Sequence, residues 1–230
     1  LHRVLLAAMS LMAAADAAAC VVPSGVPVVV ARVEEGALVL ANGVRLLPGT
    51  IVLRPDAAWP TTLEGAFIRY VAEDDAPDRH GRLIAQIFFA RDGGEVWLQA
   101  QLVDDGAALV MPRRGSEVCA AQLLVREAAR GNDDVQAADA MGGMIGRYAI
   151  AEGVITRALV LSDGVFLDFG DDWRTDFSVF IARGDIKRFG ALLDDVRALE
   201  GRRVVVRGFV GDRAGPQMRV TSALALQVLP

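Results

Sequence analysis

The sequence predicts a mainly β protein with helices, of the α+β class, in which two small β-barrels follow one another. Three observations predict it. Short β-branched and aromatic runs recur between Gly, Pro and Asn-Gly turn signals. Apolar residues at helical spacing are confined to three stretches. A polar segment with several alanines and Gly142-Gly143 separates one strand-rich region from the next. The 230 residues suffice for one large domain or two small ones, each with its own core. Hydrophobic residues make up 53%, which excludes a disordered chain. Net charge is −5, and Lys187 is the only lysine among 24 basic residues. That balance argues against non-specific nucleic-acid binding, which depends on basic charge displacing counterions. A local basic groove stays open.

The N-terminus reads as a targeting segment over residues 1–19. His2-Arg3 precedes an apolar run from Val4 to Ala15, too short to span a bilayer, and Ala17-Ala18-Ala19 offers the small residues of a cleavage site. The chain is therefore expected to be exported, periplasmic or secreted. Cys20 follows and has two readings. With Ala17-Ala18-Ala19 it forms a lipid-attachment site, the only route by which membrane contact is expected. Otherwise it is free, or paired with Cys119 in the oxidising compartment. Cys119 itself reads as structural.

Residues 20–29 form a tether. Val28 to Val33 and Ala37 to Leu40 read as strands around the turn Glu34-Glu35-Gly36, and Asn42-Gly43 is a hairpin signal leading to Val44 to Leu47. Ile51 to Leu53 extends the sheet or crosses over, and Arg54 to Pro60 is loop. Phe67 to Val71, Ile84 to Phe89 and Val96 to Leu98 complete a closed sheet, with an acidic loop from Glu73 to Pro77. Leu98 to Ala108 and Ser116 to Arg130 are helices, the second with Ser116 as N-cap. Residues 132–146 are linker. Beyond it lie strands at Tyr148 to Val154, Thr156 to Leu161, Val165 to Phe169 and Phe177 to Ile181. A helix capped by Asp185 then presents Phe189, Leu192, Leu193 and Val196 on one face. Arg203 to Val210, Gln217 to Val220 and Leu224 to Leu229 end the chain. Strands, a helix and further strands follow the order of an OB barrel, which is three strands, a helix and two strands.

Within the first half, Asp78-Arg79-His80-Gly81-Arg82 and Leu102 to Ala108 carry a more specific pattern. They resemble the central signature of the staphylococcal-nuclease (thermonuclease) family: an acidic-basic-aromatic-Gly-Arg turn, a strand, and a helix close to Leu-Val-x-x-Gly-x-Ala. His80 occupies the aromatic slot. The resemblance runs from about Val30 to Arg130, and gives residues 30–131 as a nuclease-like OB domain with two C-terminal helices and 147–230 as a second OB-like barrel. It implies phosphodiester cleavage, in which aspartates hold calcium, a glutamate activates water and two arginines neutralise the phosphate. Arg45 and Arg82 match the two arginines. The carboxylate slots fall on Gly36, Thr50 and Leu53, which offer none. The resemblance thus implies a fold without its metal and base groups, no cofactor, and a role in binding or scaffolding an envelope protein or ligand. The alternative is an active calcium-dependent nuclease in which Glu35, Asp56 and Glu64 supply relocated carboxylates. Arg82 either binds phosphate or pairs with Asp78 to pin its turn, and His80 is expected to pack that turn.

In the second half, Phe166, Phe169, Trp173, Arg174 and Phe177 could form a single-strand nucleic-acid surface, with Trp173 and Arg174 as the named contacts. Alternation puts Val165, Leu167 and Phe169 on one side and Phe166 and Asp168 on the other, so part of the set is core. Asp168, Asp171, Asp172 and Asp176 outnumber Arg174, which favours structure or protein contact. Arg202, Arg203 and Arg207 read as an exposed strand edge.

Overall fold

The computed structural model describes residues 20–21, 25–34, 36–57, 59, 63–131, 133–172 and 174–230; the expected leader, Glu35 and Trp173 lie outside them. The protein is mainly β with helices. Its first half contains β1 (Val28–Glu34), β2 (Ala37–Leu40), β3 (Arg45–Pro48), β4 (Ile51–Leu53), β5 (Phe67–Ala72), β6 (Arg82–Arg91) and β7 (Gly94–Trp97). These are followed by α1 (Leu98–Asp104), β8 (Ala108–Val110) and α2 (Glu117–Arg130). The sheet order is β3-β2-β1-β5-β6-β7, and β3 also pairs with β6 in parallel, so five strands join in a cycle and the sheet is partly closed. Leu38, Leu40, Leu46, Ile68 and Ile87 fill its interior.

Helix α1 docks on this sheet through a polar contact as well as an apolar one. Gln99 is fully buried; its Oε1 accepts from Ile87 N at 3.1 Å and its Nε2 donates to Ala85 O at 2.7 Å. The helix is shorter than its spacing predicts. The chain turns at Asp105-Gly106, and Ala108 to Val110 pairs antiparallel with β4 instead. Helix α2 buries Cys119, Ala120, Leu123 and Glu127. Ser116 stands at its N-cap position without a side-chain cap; its hydroxyl instead exchanges hydrogen bonds with the backbone of Arg113.

The second half is built from β9 (Val135–Ala137), β10 (Tyr148–Val154), β11 (Arg157–Val160), β12 (Gly164–Asp168), β13 (Ser178–Ala182), β14 (Arg203–Asp212), β15 (Pro216–Arg219) and β16 (Leu226–Val228). Its order is β11-β12-β13-β15-β14-β10-β9, with β16 on β14 and with β13–β15 parallel. Strands β10 and β11 follow each other through Ile155-Thr156, so one continuous stretch supplies both ends of the β10-to-β11 path. Two expectations need correcting here. The segment read as linker contributes β9 to the sheet and buries Ala138 and Met141, because its alanines and methionine carry apolar surface. The expected α-helix after Asp185 is two 3-10 segments, Ile186–Leu193 and Val196–Leu199, the first kinked where Gly190 leaves helical geometry. Phe189, Leu193 and Val196 still share the core.

The two halves meet over α2. Glu127 Oε1 accepts from Val110 N at 2.8 Å, while its Oε2 pairs with Arg207 Nη1 of β14. Tyr148 Oη of β10 donates to Val110 O at 2.7 Å, and Arg207 donates to the same carbonyl at 3.2 Å. The side chains of Arg207 and Glu127 are only 12% and 7% exposed. Arg207, expected on an open edge, is thus an interface residue. Burial raises the Tyr148 pKa far above its usual range, which keeps the phenol a donor at any ordinary pH. Asp134 bridges Arg54 and Arg130 nearby, and the nearly buried Asp185 accepts from Arg114. Among the described residues no helix is long and apolar enough to cross a membrane.

Cys20 and Cys119 form a disulfide spanning 99 residues of sequence, and Cys20 and Val21 pack on the first core. The sulfur that the lipid reading requires is engaged in this bond.

Two outcomes follow from this architecture. Glu127→Leu strands a buried guanidinium and a backbone amide, and should lower unfolding free energy by about 3–5 kcal/mol in urea titrations. Cys119→Ser frees the N-terminal segment and should cost about 2–4 kcal/mol, with the same loss on adding reductant to the wild type.

Candidate functional site

The parallel register of β3 on β6 makes Arg45 and Arg82 direct neighbours. In-register residues of paired strands project to the same side, so the two arginines matched by the family resemblance share a face. Each already has a carboxylate. Arg82 donates through Nε and Nη2 to Asp78 Oδ2 at 2.9 and 2.8 Å. Asp78 Oδ1 accepts from the backbone amides of His80 and Arg82 at 2.8 and 3.0 Å. Such an arrangement is an Asx-type turn closed by a charge-assisted pair. Of the two roles open to Arg82, pinning the turn is the one the geometry displays.

These bonds hold the Asp78 carboxyl well below the usual carboxylate range, the side-chain bond from Arg82 being the largest cause. Arg45 Nη2 lies 2.9 Å from Glu34 Oε2, and Arg32 Nε donates to Glu34 Oε1 at 2.7 Å. Glu34 is likewise lowered, first by the Arg32 hydrogen bond and then by the charges of Arg32 and Arg45. The local chemistry is two guanidinium groups, each with its own anion. That set can orient a phosphate only by exchanging partners.

His80 does not pack the turn. It is exposed and accepts from Arg79 Nε at 3.0 Å. Gly36 occupies the first carboxylate slot between paired Glu34 and Ala37, with φ +70°, a left-handed conformation that favours glycine. The turn geometry therefore accounts for the missing side chain. Of the relocated-carboxylate candidates, Asp56 is exposed and Glu64 Oε1 accepts from Val33 N at 3.0 Å; Glu35 is outside the described residues.

Thr50, in the second carboxylate slot, is buried with φ 63° and donates to Glu73 Oε1 at 2.6 Å. Gln86 Nε2 donates to the Thr50 hydroxyl at 3.0 Å and to Glu73, and Trp97 Nε1 donates to Gln86 Oε1 at 2.8 Å. Arg113 stands 3.7 Å from Glu73 Oε2. Sequence reasoning placed Glu73 in an acidic loop and missed this network. Its partners lie at positions 50, 86, 97 and 113, so no local pattern could have revealed it.

In the second half, Phe169 and Phe177 pack together on the core, with ring centroids 5.0 Å apart, whereas Phe166 pairs with Phe180 on the other face. Arg174 is exposed, with Nη1 3.9 Å from Asp172 Oδ1 and its backbone amide bonded to the same carboxylate. The nucleic-acid role of Trp173 falls outside the described residues.

No protein-family model and no curated protein sequence matches this chain.

The Asp78 turn gives a pH signature. The folded state holds Asp78 ionised more firmly than the unfolded chain does, so the unfolded state binds more protons between the two pKa values. This contribution is complete above the usual carboxylate range and is lost as pH falls through the lowered folded value. Asp78→Asn should remove that part of the acid limb in melts between about pH 6 and pH 2. It should also speed amide exchange at His80 and Arg82.

Proposed function

We propose that the chain is an exported, thermonuclease-like protein of two OB-type barrels that acts without catalysis, as a binding or scaffold module of the cell envelope. The cyclic pairing of β1, β2, β3, β6 and β5, closed by the parallel β3–β6 contact and followed by α1 and α2, supports the first barrel. The path from β11 through β13, β15 and β14 to β10, returning along the chain, supports the second. The Cys20–Cys119 disulfide fits an oxidising compartment.

The observation that carries the non-catalytic reading is the pairing of Arg45 with Glu34 and of Arg82 with Asp78. In a working phosphodiesterase those guanidinium groups face the scissile phosphate, while other carboxylates hold the metal and the water. Here the nearest acids are spent on the arginines, and the family's carboxylate slots hold Gly36, Thr50 and Leu53. One observation favours the alternative of an active calcium-dependent enzyme: Glu73 brings a carboxylate to the Thr50 position. Thr50 and Gln86 both donate to that carboxylate, which leaves it poorly placed for a metal.

The deciding measurement titrates calcium and manganese into pure protein while single-stranded DNA cleavage is followed in the same samples. Neither metal should stimulate cleavage, and Arg82→Ala should match the wild type. Metal-stimulated cleavage that disappears in Arg82→Ala would establish the enzyme instead.

A further inference from the structure

The outer face of the second sheet carries an ordered set of side chains unconnected with the arginine turn. Strand register places Arg157 beside Asp168, Asp168 beside Ser178 and Ser178 beside Gln217, a polar row across four strands. Two residues along, Leu159, Phe166, Phe180 and Arg219 form a second row. Residues two apart on a strand share a face, so both rows look outward, opposite buried Val165, Leu167, Val179 and Met218.

The second row is an aromatic shelf. The Phe166 and Phe180 ring centroids are 4.7 Å apart and tilted by 37°. Gly164 allows this: a Cβ there would come within 2.8 Å of Phe180 Cε2, so the missing side chain lets the ring lie against the sheet. A cavity of about 370 Å³ opens over the polar row and the Leu159–Phe166 end of the second row, with Leu161 and Arg213 also on its wall.

The polar row has acceptors left over. The Asp168 side chain is 5% exposed, and Arg157 directs both Nε and Nη2 to Oδ2, at 3.0 and 2.8 Å. Asp168 Oδ1 has no partner among the described residues. Asp168 lines the cavity, so that oxygen is open to a donor entering it. Gln217 Nε2 donates to Ser178 Oγ at 3.2 Å, which leaves Gln217 Oε1 to accept and the Ser178 hydroxyl to donate. An apolar shelf beside an acceptor-rich row is complementary to a flat ring whose edge carries N–H donors.

We propose that this face binds the guanine base of a nucleotide, free or within a single strand. The ring stacks on Phe166, which Phe180 backs, its N1–H and amino group donate to Asp168 Oδ1 and Gln217 Oε1, and its phosphate meets Arg213 at the rim. Guanine fits best because it offers two adjacent donors. Adenine and cytosine offer one amino group, and uracil flanks its single N–H with carbonyl oxygens that a carboxylate repels. Of the two arginines on the cavity wall Arg157 is engaged by Asp168, so Arg213 is the one proposed for the phosphate, and with a net charge of −5 the base and not the backbone supplies the affinity. This inference deepens the reading of the chain as a non-catalytic binding module.

The test is fluorescence anisotropy of the full chain in EDTA, using a labelled alternating guanine–uracil strand and an all-uracil strand. Guanosine and uridine monophosphates serve as competitors. The guanine strand should bind at least about tenfold tighter, with a shallow salt slope near −0.7, that of one phosphate contact on a single strand. Phe180→Leu should weaken binding about tenfold, and Asp168→Asn should erase most of the guanine preference. Competition by guanosine monophosphate marks the free nucleotide as the source; competition by the strand alone marks the single strand. Absence of binding to folded protein, binding without guanine preference, or a preference intact in Asp168→Asn overturns the proposal. Should Asp168→Asn fail to give a cooperative melt, Gln217→Leu decides in its place, with loss of guanine binding expected. Metal-dependent cleavage of the same strands would sink the non-catalytic reading while leaving this site standing.

Discussion

The Glu127 carboxylate is the contact on which the relation of the two halves depends. It sits on the inner face of α2, where an apolar residue would satisfy the helix, and there it holds the Val110 amide with one oxygen and Arg207 with the other. The Val110 carbonyl is in turn held by Tyr148 and Arg207. One residue of a three-residue strand is thus gripped by the helix beside it and by two strands of the other sheet. A buried pair of this kind gains little over an apolar contact, because desolvation offsets the attraction. Its consequence is geometric: two separately cored sheets meet in one register, since any other would bury charge without a partner.

Similar logic governs the arginine turn. Arg45 and Arg82 are adjacent because β3 runs parallel to β6, a pairing that also makes the first sheet partly closed. Two guanidinium groups on one face repel unless anions are supplied, and here the protein supplies them from residues close in sequence. Asp78 lies four residues before Arg82, and Glu34 ends the strand β1 whose partner β2 lies next to β3. The same folding that gathers the arginines neutralises them.

On the second sheet the balance runs the other way. Asp168 is satisfied on one oxygen only, and the Phe166–Phe180 shelf lies beside it. Packing explains Phe169 and Phe177, which touch across the core, and strand pairing explains the Arg157–Asp168 contact. The second oxygen of Asp168 stays open toward the cavity beside Phe166.

The sequence by itself determined most of the strands, the helices α1 and α2, the polar turn at Asp78 and the division of Phe166 from Phe169, though it ran α1 on through β8. All of these are local: they depend on alternation, helical spacing, and side chains reaching a backbone two to four residues away. It also left Cys20–Cys119 as an open pairing, which the fold closes. Only the tertiary structure decided the rest. Arg207 and Glu73 read from the sequence as an exposed strand edge and an acidic loop, and like Glu127 each is largely covered because its partner arrives from tens of residues away. The linker joined the second sheet through a parallel pairing of β9 with β10 that no short-range pattern encodes. Long-range register has no signature in neighbouring residues, so burial of charge and the rows of Asp168 and Phe180 emerge only when the strands meet.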